Sequence, residues 1–246
     1  MIYYPNPKEA DFWCSLLARF TSLTAAEACL VGQHYTTVKQ PEAAKKMFQQ
    51  ALQNTDVSAD CFFRYGELLQ SQQDYSTARS LFERALQQEV NATYLLAIGS
   101  TYNAEGKPEQ ALQKYQEAYQ LAPFGQACAD ALRYTGGVYY YTYQDFTRAA
   151  DYFDRAIRCN NKVDVSVYWL LANSQRQLGH NDLALQAYEQ MQQRLQGSAY
   201  LVEWRHEYAS YLLELGKVND AKRIYQSILA DNPNDPVAQE ALNHQP

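Results

Sequence analysis

The chain has 246 residues and a formal net charge of −6, from 21 basic and 27 acidic side chains. Residues 1–123 carry 10 basic and 13 acidic side chains and residues 124–246 carry 11 and 14, so each half has a net charge of −3. This even spread lacks the basic patch that phosphate binding requires, and nucleic acid is not expected as a partner. No apolar run approaches the roughly 20 residues that span a bilayer, so no membrane insertion is expected.

The first predicted element is a helix over residues 8–21. Its large apolar side chains lie on or near one face, and they are Phe12, Trp13, Leu16, Leu17 and Phe20. We expect residues 1–24 to form a cap that covers the apolar end of the structure that follows.

From residue 25 onwards, an alanine followed four residues later by an aromatic ring recurs at six regularly spaced positions. The pairs are Ala44/Phe48, Ala78/Phe82, Ala111/Tyr115, Ala149/Phe153, Ala184/Tyr188 and Ala221/Tyr225. The steps between successive alanines are 34, 33, 38, 35 and 37 residues. A self-similar period of this length predicts an array of small helical units, and such arrays form extended surfaces that hold other molecules.

Each unit is predicted to be a pair of antiparallel helices. A small residue stands twelve positions before each alanine, and these residues are Gly32, Gly66, Gly99, Gly137, Ala172 and Ala209. Two helices can approach closely where both lack bulky side chains. Gly106, Gly179 and Gly216 stand five positions before the alanine, where the first helix would end in a left-handed residue.

The pattern resembles the tetratricopeptide repeat family, most closely in the third unit with Leu95, Ile98-Gly99, Tyr102, Gly106, Ala111, Tyr115, Ala118 and Pro123. The resemblance implies an all-α, right-handed solenoid of stacked helix–turn–helix repeats. The repeats are expected at residues 25–58, 59–91, 92–125, 130–163, 165–198 and 202–235. Arg133 and Arg205 depart from the family pattern where a large apolar residue is usual, and Gln175 replaces a ring.

The step of 38 residues between the third and fourth alanines is the longest. Pro123, Phe124 and Gly125 end one helix, and residues 126–137 extend the start of the next. One interpretation is a longer helix in a divergent repeat. The other is a local change of curvature, or a groove specialised for a ligand.

The C-terminal end is predicted to close the array. Pro233 and Pro236 interrupt the second helix of the sixth repeat. Residues 237–242 can then form a short helix, so we expect residues 236–246 to be a short cap and tail.

The five cysteines, Cys14, Cys29, Cys61, Cys128 and Cys159, are widely spaced and odd in number. Without a CxxC pair they predict free thiols in a reducing compartment. The N-terminus lacks a basic segment followed by an apolar stretch, so no signal peptide is expected. We therefore predict a cytoplasmic protein, with the periplasm as the alternative if a signal peptide has been removed.

No motif points to catalysis or to a cofactor. The four histidines form no HExxH pattern, and no GxSxG turn, P-loop or GxGxxG occurs. Gly136-Gly137 falls at the close-packing position of a helix, which favours a structural role for it. We predict a protein that is not an enzyme and that has no catalytic residues, no metal site and no cofactor.

The resemblance implies that the first helix of each repeat lines a concave groove. It implies a set of partner-binding residues there, namely Gln33, Phe63, Arg64, Glu67, Asn103, Tyr134, Tyr141, Trp169, Asn173, Arg176, His206 and Ser210. Some family members grip a C-terminal carboxylate with lysine and asparagine at two groove positions. Cys29 and Gln33, then Phe63 and Glu67, occupy those positions here, so that clamp is not expected.

These expectations favour a non-catalytic scaffold or adaptor that binds a peptide or segment of a partner protein in the groove. Tyr134, Tyr141 and Trp169 are the first candidates, because tyrosine and tryptophan are common binding hot spots. The alternative is a chaperone or assembly factor that shields a client protein. Self-association through exposed faces is a third possibility.

Overall fold

The computed structural model describes residues 23–160, 162–194 and 202–243. These residues form helices and turns and no strand, which confirms the all-α class. The α-helices are α1 (Ala25–Thr37), α2 (Pro41–Ala51), α3 (Ala59–Ser71), α4 (Tyr75–Gln88), α5 (Ala92–Ala104), α6 (Pro108–Leu121), α7 (Gly125–Gly137), α8 (Phe146–Cys159), α9 (Ser166–Gln177), α10 (Asn181–Arg194), α11 (Val202–Glu214), α12 (Val218–Asp231) and α13 (Pro236–Asn243). A π-helix, Val138–Tyr143, separates α7 from α8. The predicted N-terminal capping helix lies outside the described residues.

Packing divides the chain into two compact units, Met1–Val138 and Tyr139–Pro246, called unit 1 and unit 2. In unit 1 the helices pair as α1/α2, α3/α4 and α5/α6, and α7 packs on α6. In unit 2, α9 packs against both α8 and α10, α11 pairs with α12, and α13 packs on α12. The odd-numbered helices α1 to α11 are the first helices of the predicted repeats.

The alanine–aromatic pairs form the core, as the sequence predicts. All twelve of their side chains are at most 4% exposed, and most are fully buried. A Cβ atom built on Gly32, Gly66 or Gly99 would lie 3.0, 2.4 or 2.5 Å from the ring of Phe48, Phe82 or Tyr115, respectively. Each of these rings therefore packs directly onto the glycine backbone of the preceding helix, and any side chain there would displace it.

Gly137 does not have this role. A Cβ atom at Gly137 would meet no described atom within 4 Å, so the close packing predicted there is wrong. The reason is local, because α7 ends at this residue and the π-helix begins at the next one.

The turns between paired helices share one backbone conformation. Gly106, Gly179 and Gly216 have φ angles of 72°, 73° and 71°, which confirms the predicted left-handed position. The equivalent residues of the other three repeats are Lys39, Gln73 and Gln144, with φ angles of 58°, 65° and 53°. The same turn is therefore kept without glycine, at the usual conformational cost of a non-glycine residue with positive φ.

The long step between the third and fourth alanines corresponds to a longer first helix. The first helices α1, α3, α5 and α7 each have 13 residues, but six residues of π-helix follow α7 before the turn. The structure thus shows the extra residues as an extension of the first helix. Insertions of this kind widen a helical turn and often occur at functional sites. The boundary between the two units falls in this segment.

The four cysteines among the described residues are disulfide-bonded, so the prediction of free thiols is wrong for them. Cys29 of α1 and Cys61 of α3 form a disulfide with their Cα atoms 5.7 Å apart. Cys128 and Cys159 are disulfide-bonded as well, and Cys14 lies outside the described residues. The sequence separation of 32 conceals the proximity of Cys29 and Cys61. They come together because the first helices α1 and α3 contact each other.

Two polar side chains fix the C-terminal end of unit 2. Asp235 is 5% exposed, and its Oδ1 atom accepts hydrogen bonds from the backbone N–H of Ala238 and from His206 Nε2. It therefore begins α13, the closing helix predicted from the sequence. Arg205, which departs from the family pattern, is 4% exposed and donates to Asp231 and Ser227 of α12.

Every helix among the described residues is too short or too polar to cross a bilayer.

Candidate functional site

The first helices of unit 1 border two cavities. The first cavity, of about 480 Å³, lies between α1 and α3 and is lined by Gln33, Thr36, Thr37, Phe48, Arg64, Glu67, Leu68 and Ser71. The second cavity, of about 400 Å³, lies along α3, α5 and α7 and is lined by Phe63, Glu67, Gln70, Thr93, Leu96, Ala97, Ser100, Gln126, Ala127, Asp130 and Tyr134. Glu67 borders both cavities, so they adjoin, and we call them together the trough. Their volumes lie within the usual range for ligand sites in proteins.

The first cavity carries a charged and hydrogen-bonded wall. Arg64 contacts Asp60 at 3.2 Å and Glu67 at 3.0 Å, and Gln33 Nε2 donates to Asp60 Oδ2 at 3.0 Å. Burial lowers the pKa of Arg64, but the hydrogen bonds and charges of Glu67 and Asp60 outweigh it and leave the pKa raised. Because two carboxylates surround one guanidinium, Arg64 is not an open site for a partner's carboxylate.

The second cavity combines rings, apolar side chains and hydrogen-bonding groups. Phe63 is 8% exposed and packs against Phe82 and Tyr94, so only its margin faces the cavity. Tyr134 stacks on Tyr115 with ring centroids 5.3 Å apart.

The cavity is also bridged by hydrogen bonds. Gln70 Nε2 of α3 donates to Ser100 Oγ of α5 at 2.9 Å, and Gln126 Nε2 donates to Asp130 Oδ2 at 3.0 Å. These bonds fix the polar groups that a bound segment would meet.

Unit 2 contains a polar cluster on one face of α9. Trp169, Asn173 and Arg176 are spaced by four and three residues and therefore share a helix face. Trp169 Nε1 donates to Glu207 Oε2 at 2.7 Å, and its ring stacks on Trp204 with centroids 5.5 Å apart.

Arg176 is held between α9 and α11. Its guanidinium lies 2.8 Å from Glu214, 3.8 Å from Glu207 and 4.8 Å above the ring of Tyr211. Burial lowers the pKa of Arg176, but Glu214 and Tyr188 outweigh this effect and leave the pKa raised. Like Arg64, Arg176 is balanced by two carboxylates.

Asn173 occupies the middle of this cluster. It is 5% exposed, and its Oδ1 atom accepts a hydrogen bond of 3.0 Å from the Tyr188 hydroxyl. Burial raises the pKa of Tyr188, which stays protonated and able to donate. The Asn173 Nδ2 atom is buried without a hydrogen-bond partner among the described residues.

Two family models match the chain. The tetratricopeptide repeat model matches residues 37–88, 63–126 and 96–163, and the model of the YpiA-like, C-terminal tetratricopeptide repeats matches residues 166–235. The chain belongs to the tetratricopeptide repeat family. Proteins with this repeat are generally interaction modules without catalytic activity.

Solved structures of other tetratricopeptide repeat proteins share the fold. The chain is 18% identical to a chain of the APC/C hetero-tetramer Cut9-Hcn1 with a TM-score of 0.67, covering 97% of this chain but 46% of that one. It is 19% identical to pilF of Pseudomonas aeruginosa with a TM-score of 0.66, covering 96% and 100%. It is 16% identical to YrrB, described as a tetratricopeptide repeat protein with an unusual peptide-binding site, with a TM-score of 0.54 and coverage of 80% and 97%. No curated protein matches the sequence.

Five of the predicted binding residues line the trough in the structure: Gln33, Phe63, Arg64, Glu67 and Tyr134. Trp169, Asn173 and Arg176 come together in unit 2. The other four are separate. Asn103 and Ser210 are exposed, Tyr141 is 65% exposed beside Tyr140 on the π-helix, and His206 is engaged with Asp235.

Two acidic residues, Asp130 and Glu207, complete these sites but were not among the predicted residues. Asp130 is the first residue of its repeat, and Glu207 directly follows His206, one of the predicted groove residues. Of the features visible in the sequence, only the presence of a carboxylate could have indicated these two residues. Among the described residues, no group of three His, Cys, Asp or Glu is arranged to hold a metal.

Proposed function

We propose that the chain is a non-catalytic adaptor whose trough binds an extended segment of a partner protein. The observation that carries this proposal is that the two cavities adjoin at Glu67 and together follow α1, α3, α5 and α7. Two separate pockets would suit two small ligands, whereas a continuous line of polar, aromatic and apolar side chains suits a peptide. The hydroxyl oxygens of Thr36 and Ser71, which donate their protons to backbone carbonyls of their own helices, can accept from peptide N–H groups. The side-chain amide of Gln70 can pair with both peptide N–H and C=O groups.

The polar cluster of unit 2 is proposed as a second contact surface. The stacked rings of Trp169 and Trp204 offer a large contact area, as in many interface hot spots. We propose the trough as the main binding site and the cluster as the lesser one. The cluster satisfies most of its own hydrogen bonds, and Asn173 Nδ2 is closed off from solvent.

We predict that Ser100→Tyr strongly weakens partner capture by the full chain. Ser100 lines the second cavity, and a tyrosine ring would fill the space that a bound segment needs. The measurement is affinity purification from native cells followed by mass spectrometry, with circular dichroism to show that the fold is intact. We expect at least about a tenfold loss of the stoichiometric partner, equivalent to about 1.4 kcal/mol of binding free energy.

The matched control is Ser80→Tyr on α4, because Ser80 is exposed and borders neither cavity. It should capture the partner like the wild type. Undiminished capture by Ser100→Tyr would refute binding in the trough. If the chain gives no stoichiometric complex but transiently suppresses aggregation of clients, the chaperone alternative holds instead of the adaptor.

We further propose that the chain works in an oxidising compartment, which replaces the cytoplasmic assignment predicted from free thiols. The support is that all four cysteines among the described residues are disulfide-bonded. Disulfides persist in secreted and periplasmic proteins and are rare in the cytosol.

Thiol trapping in intact cells tests the compartment. Cells are quenched in acid and treated with a maleimide polymer before and after reduction, and the mass of the chain is compared by immunoblot. We expect Cys29, Cys61, Cys128 and Cys159 to react only after reduction. Reaction of these four before reduction would mean that the chain is held reduced in the cell.

A further inference from the structure

We infer that the second cavity receives a basic side chain, arginine or lysine, from the bound segment. The inference rests on the proposed function, since it assigns the chemistry of the partner at the same trough. It also differs from the carboxylate-gripping clamp that some members of the family use. Three observations support it, namely the charges of the lining, the groups that already hold guanidinium ions beside it, and the balance of charge along its helices.

The lining of the second cavity is negative. It contains two carboxylates, Glu67 on α3 and Asp130 on α7, and no lysine or arginine. A carboxylate of a partner would meet repulsion from both, whereas an ammonium or guanidinium group would be attracted by both. The cavity also offers aromatic surface from Phe63 and Tyr134 for the aliphatic stem or the cationic head.

Each of the two carboxylates, together with the aromatic ring beside it, already binds a guanidinium group at the edge of the cavity. Arg64 lies 5.5 Å from the ring centroid of Phe63 and 3.0 Å from Glu67. On α7, Arg133 lies 4.1 Å from the ring centroid of Tyr134 and 3.6 Å from Asp130. Neither arginine lines the second cavity, so their charges lie at its margins while the carboxylates border its interior.

These internal pairs do not balance the charge of the three helices that border the second cavity. The helices α3 and α7 carry three carboxylates, Asp60, Glu67 and Asp130, against the two guanidinium groups of Arg64 and Arg133, and α5 carries no charge. Because Arg64 is shared between Glu67, which lines the cavity, and Asp60, which does not, Glu67 is only partly neutralised. A basic side chain in the second cavity would complete the pairing of Glu67.

The effect is expected to be modest and sensitive to salt. The carboxylate side chains of Glu67 and Asp130 are 46% and 28% exposed, so water and ions screen them in part. Charge therefore selects the partner segment, while most of the affinity comes from the rest of the trough.

Two capped peptides, acetyl-Ala-Ala-Arg-Ala-Ala-amide and its citrulline counterpart, test the inference. Citrulline has nearly the same shape as arginine but no charge. Each peptide is titrated into the ¹⁵N-labelled full chain while backbone amide shifts are followed by NMR. We expect saturable shifts at Thr93, Ser100 and Tyr134, with a Kd about five- to tenfold lower for the arginine peptide at low salt.

Variants locate the effect. Glu67→Gln combined with Asp130→Asn should remove the preference for arginine over citrulline. The matched control, Asp56→Asn combined with Glu83→Gln, should keep it, because both residues are exposed in unit 1 and border neither cavity. Raising the salt concentration should weaken the binding of the arginine peptide and leave the binding of the citrulline peptide nearly unchanged.

Each contrary outcome has a distinct meaning. Equal binding of both peptides at these amides would overturn the basic side chain and leave the trough as a peptide site. Absence of shifts with either peptide would also overturn the inference, and the proposed function then depends on the separate result for Ser100→Tyr. A preference for arginine that survives the double variant Glu67→Gln and Asp130→Asn would place the cation elsewhere.

Discussion

Ala111→Arg is expected to destabilise unit 1 by about 4 kcal/mol, since it overpacks a helix crossing and buries a charge. Ala111 is fully buried at the start of α6, one turn before Tyr115, which is 1% exposed. Its carbonyl oxygen would lie 3.2 Å from a Cβ atom built on Gly99 of α5, so the two helices nearly touch there. An arginine side chain has no room at this point, and no carboxylate is buried among the described residues of unit 1 to pair with it.

Thermal unfolding followed by circular dichroism measures this effect. For a chain of this length we expect the melting temperature of the first transition to fall by roughly 10 °C. The control is Gln116→Arg, which adds the same side chain at an exposed position of α6 and should leave the melting temperature nearly unchanged. Equal stability of Ala111→Arg and the wild type would contradict the packing of the third repeat.

The core was predictable because its pattern is repeated and local. Ala44, Ala78 and Ala111 each need a ring four residues later and a small residue twelve residues earlier, and chance does not keep such spacing through six units. The turn was predictable where glycine marks it, as at Gly106. At Gln73 the residue type does not predict the turn, because the helices on either side impose the left-handed conformation on a residue other than glycine.

The candidate site was predictable only in part. The repeat register predicted Glu67 as a groove residue, and Asp60 and Glu67 stand four residues before and three residues after Arg64, a helical spacing that permits both of its ion pairs. Arg176 differs, because its partner Glu214 is 38 residues away in sequence and on the next first helix. Contacts between repeats depend on side-chain conformations that a periodic pattern does not determine.

The π-helix shows a different limit. The sequence indicated extra residues before Ala149, and both a longer helix and a changed groove accommodated them. The choice depends on backbone hydrogen bonding in residues 138–143, where four tyrosines, a valine and a threonine give no signal for π over α geometry. Secondary structure of this kind is settled by the packing around it.

Loss of the Cys29–Cys61 disulfide is expected to destabilise the first repeat by about 3–4 kcal/mol. The bond closes a loop with a sequence separation of 32, and in the chain-entropy model a loop of this size restricts the unfolded state by about that amount. It also joins α1 directly to α3. In a stack of repeats each unit is stabilised mainly by its neighbours, so the first repeat should respond more than the third.

The double variant Cys29→Ala and Cys61→Ala tests this expectation by hydrogen exchange and mass spectrometry. Amides of α1 and α2 should exchange faster, while those of α5 and α6 should keep their protection. The double alanine variant leaves the disulfides of Cys128 and Cys159 intact, which a reducing agent would not. The single variant Cys29→Ala, which retains the Cys61 side chain, should exchange as fast and thereby separate the lost bond from the lost packing of two sulfur atoms.

The same variant connects the disulfide to the trough. Gln33 lies 3.9 Å from the Cys29 sulfur and donates to Asp60, so it forms the wall of the first cavity next to the bond. If α1 separates from α3 more often, that wall opens and a segment bound in the first cavity should be held more weakly. The second cavity is bordered by α3, α5 and α7, and its binding should be unaffected. Unchanged exchange in α1 and α2 would contradict a stabilising role for the bond, because these helices would then be held by packing alone.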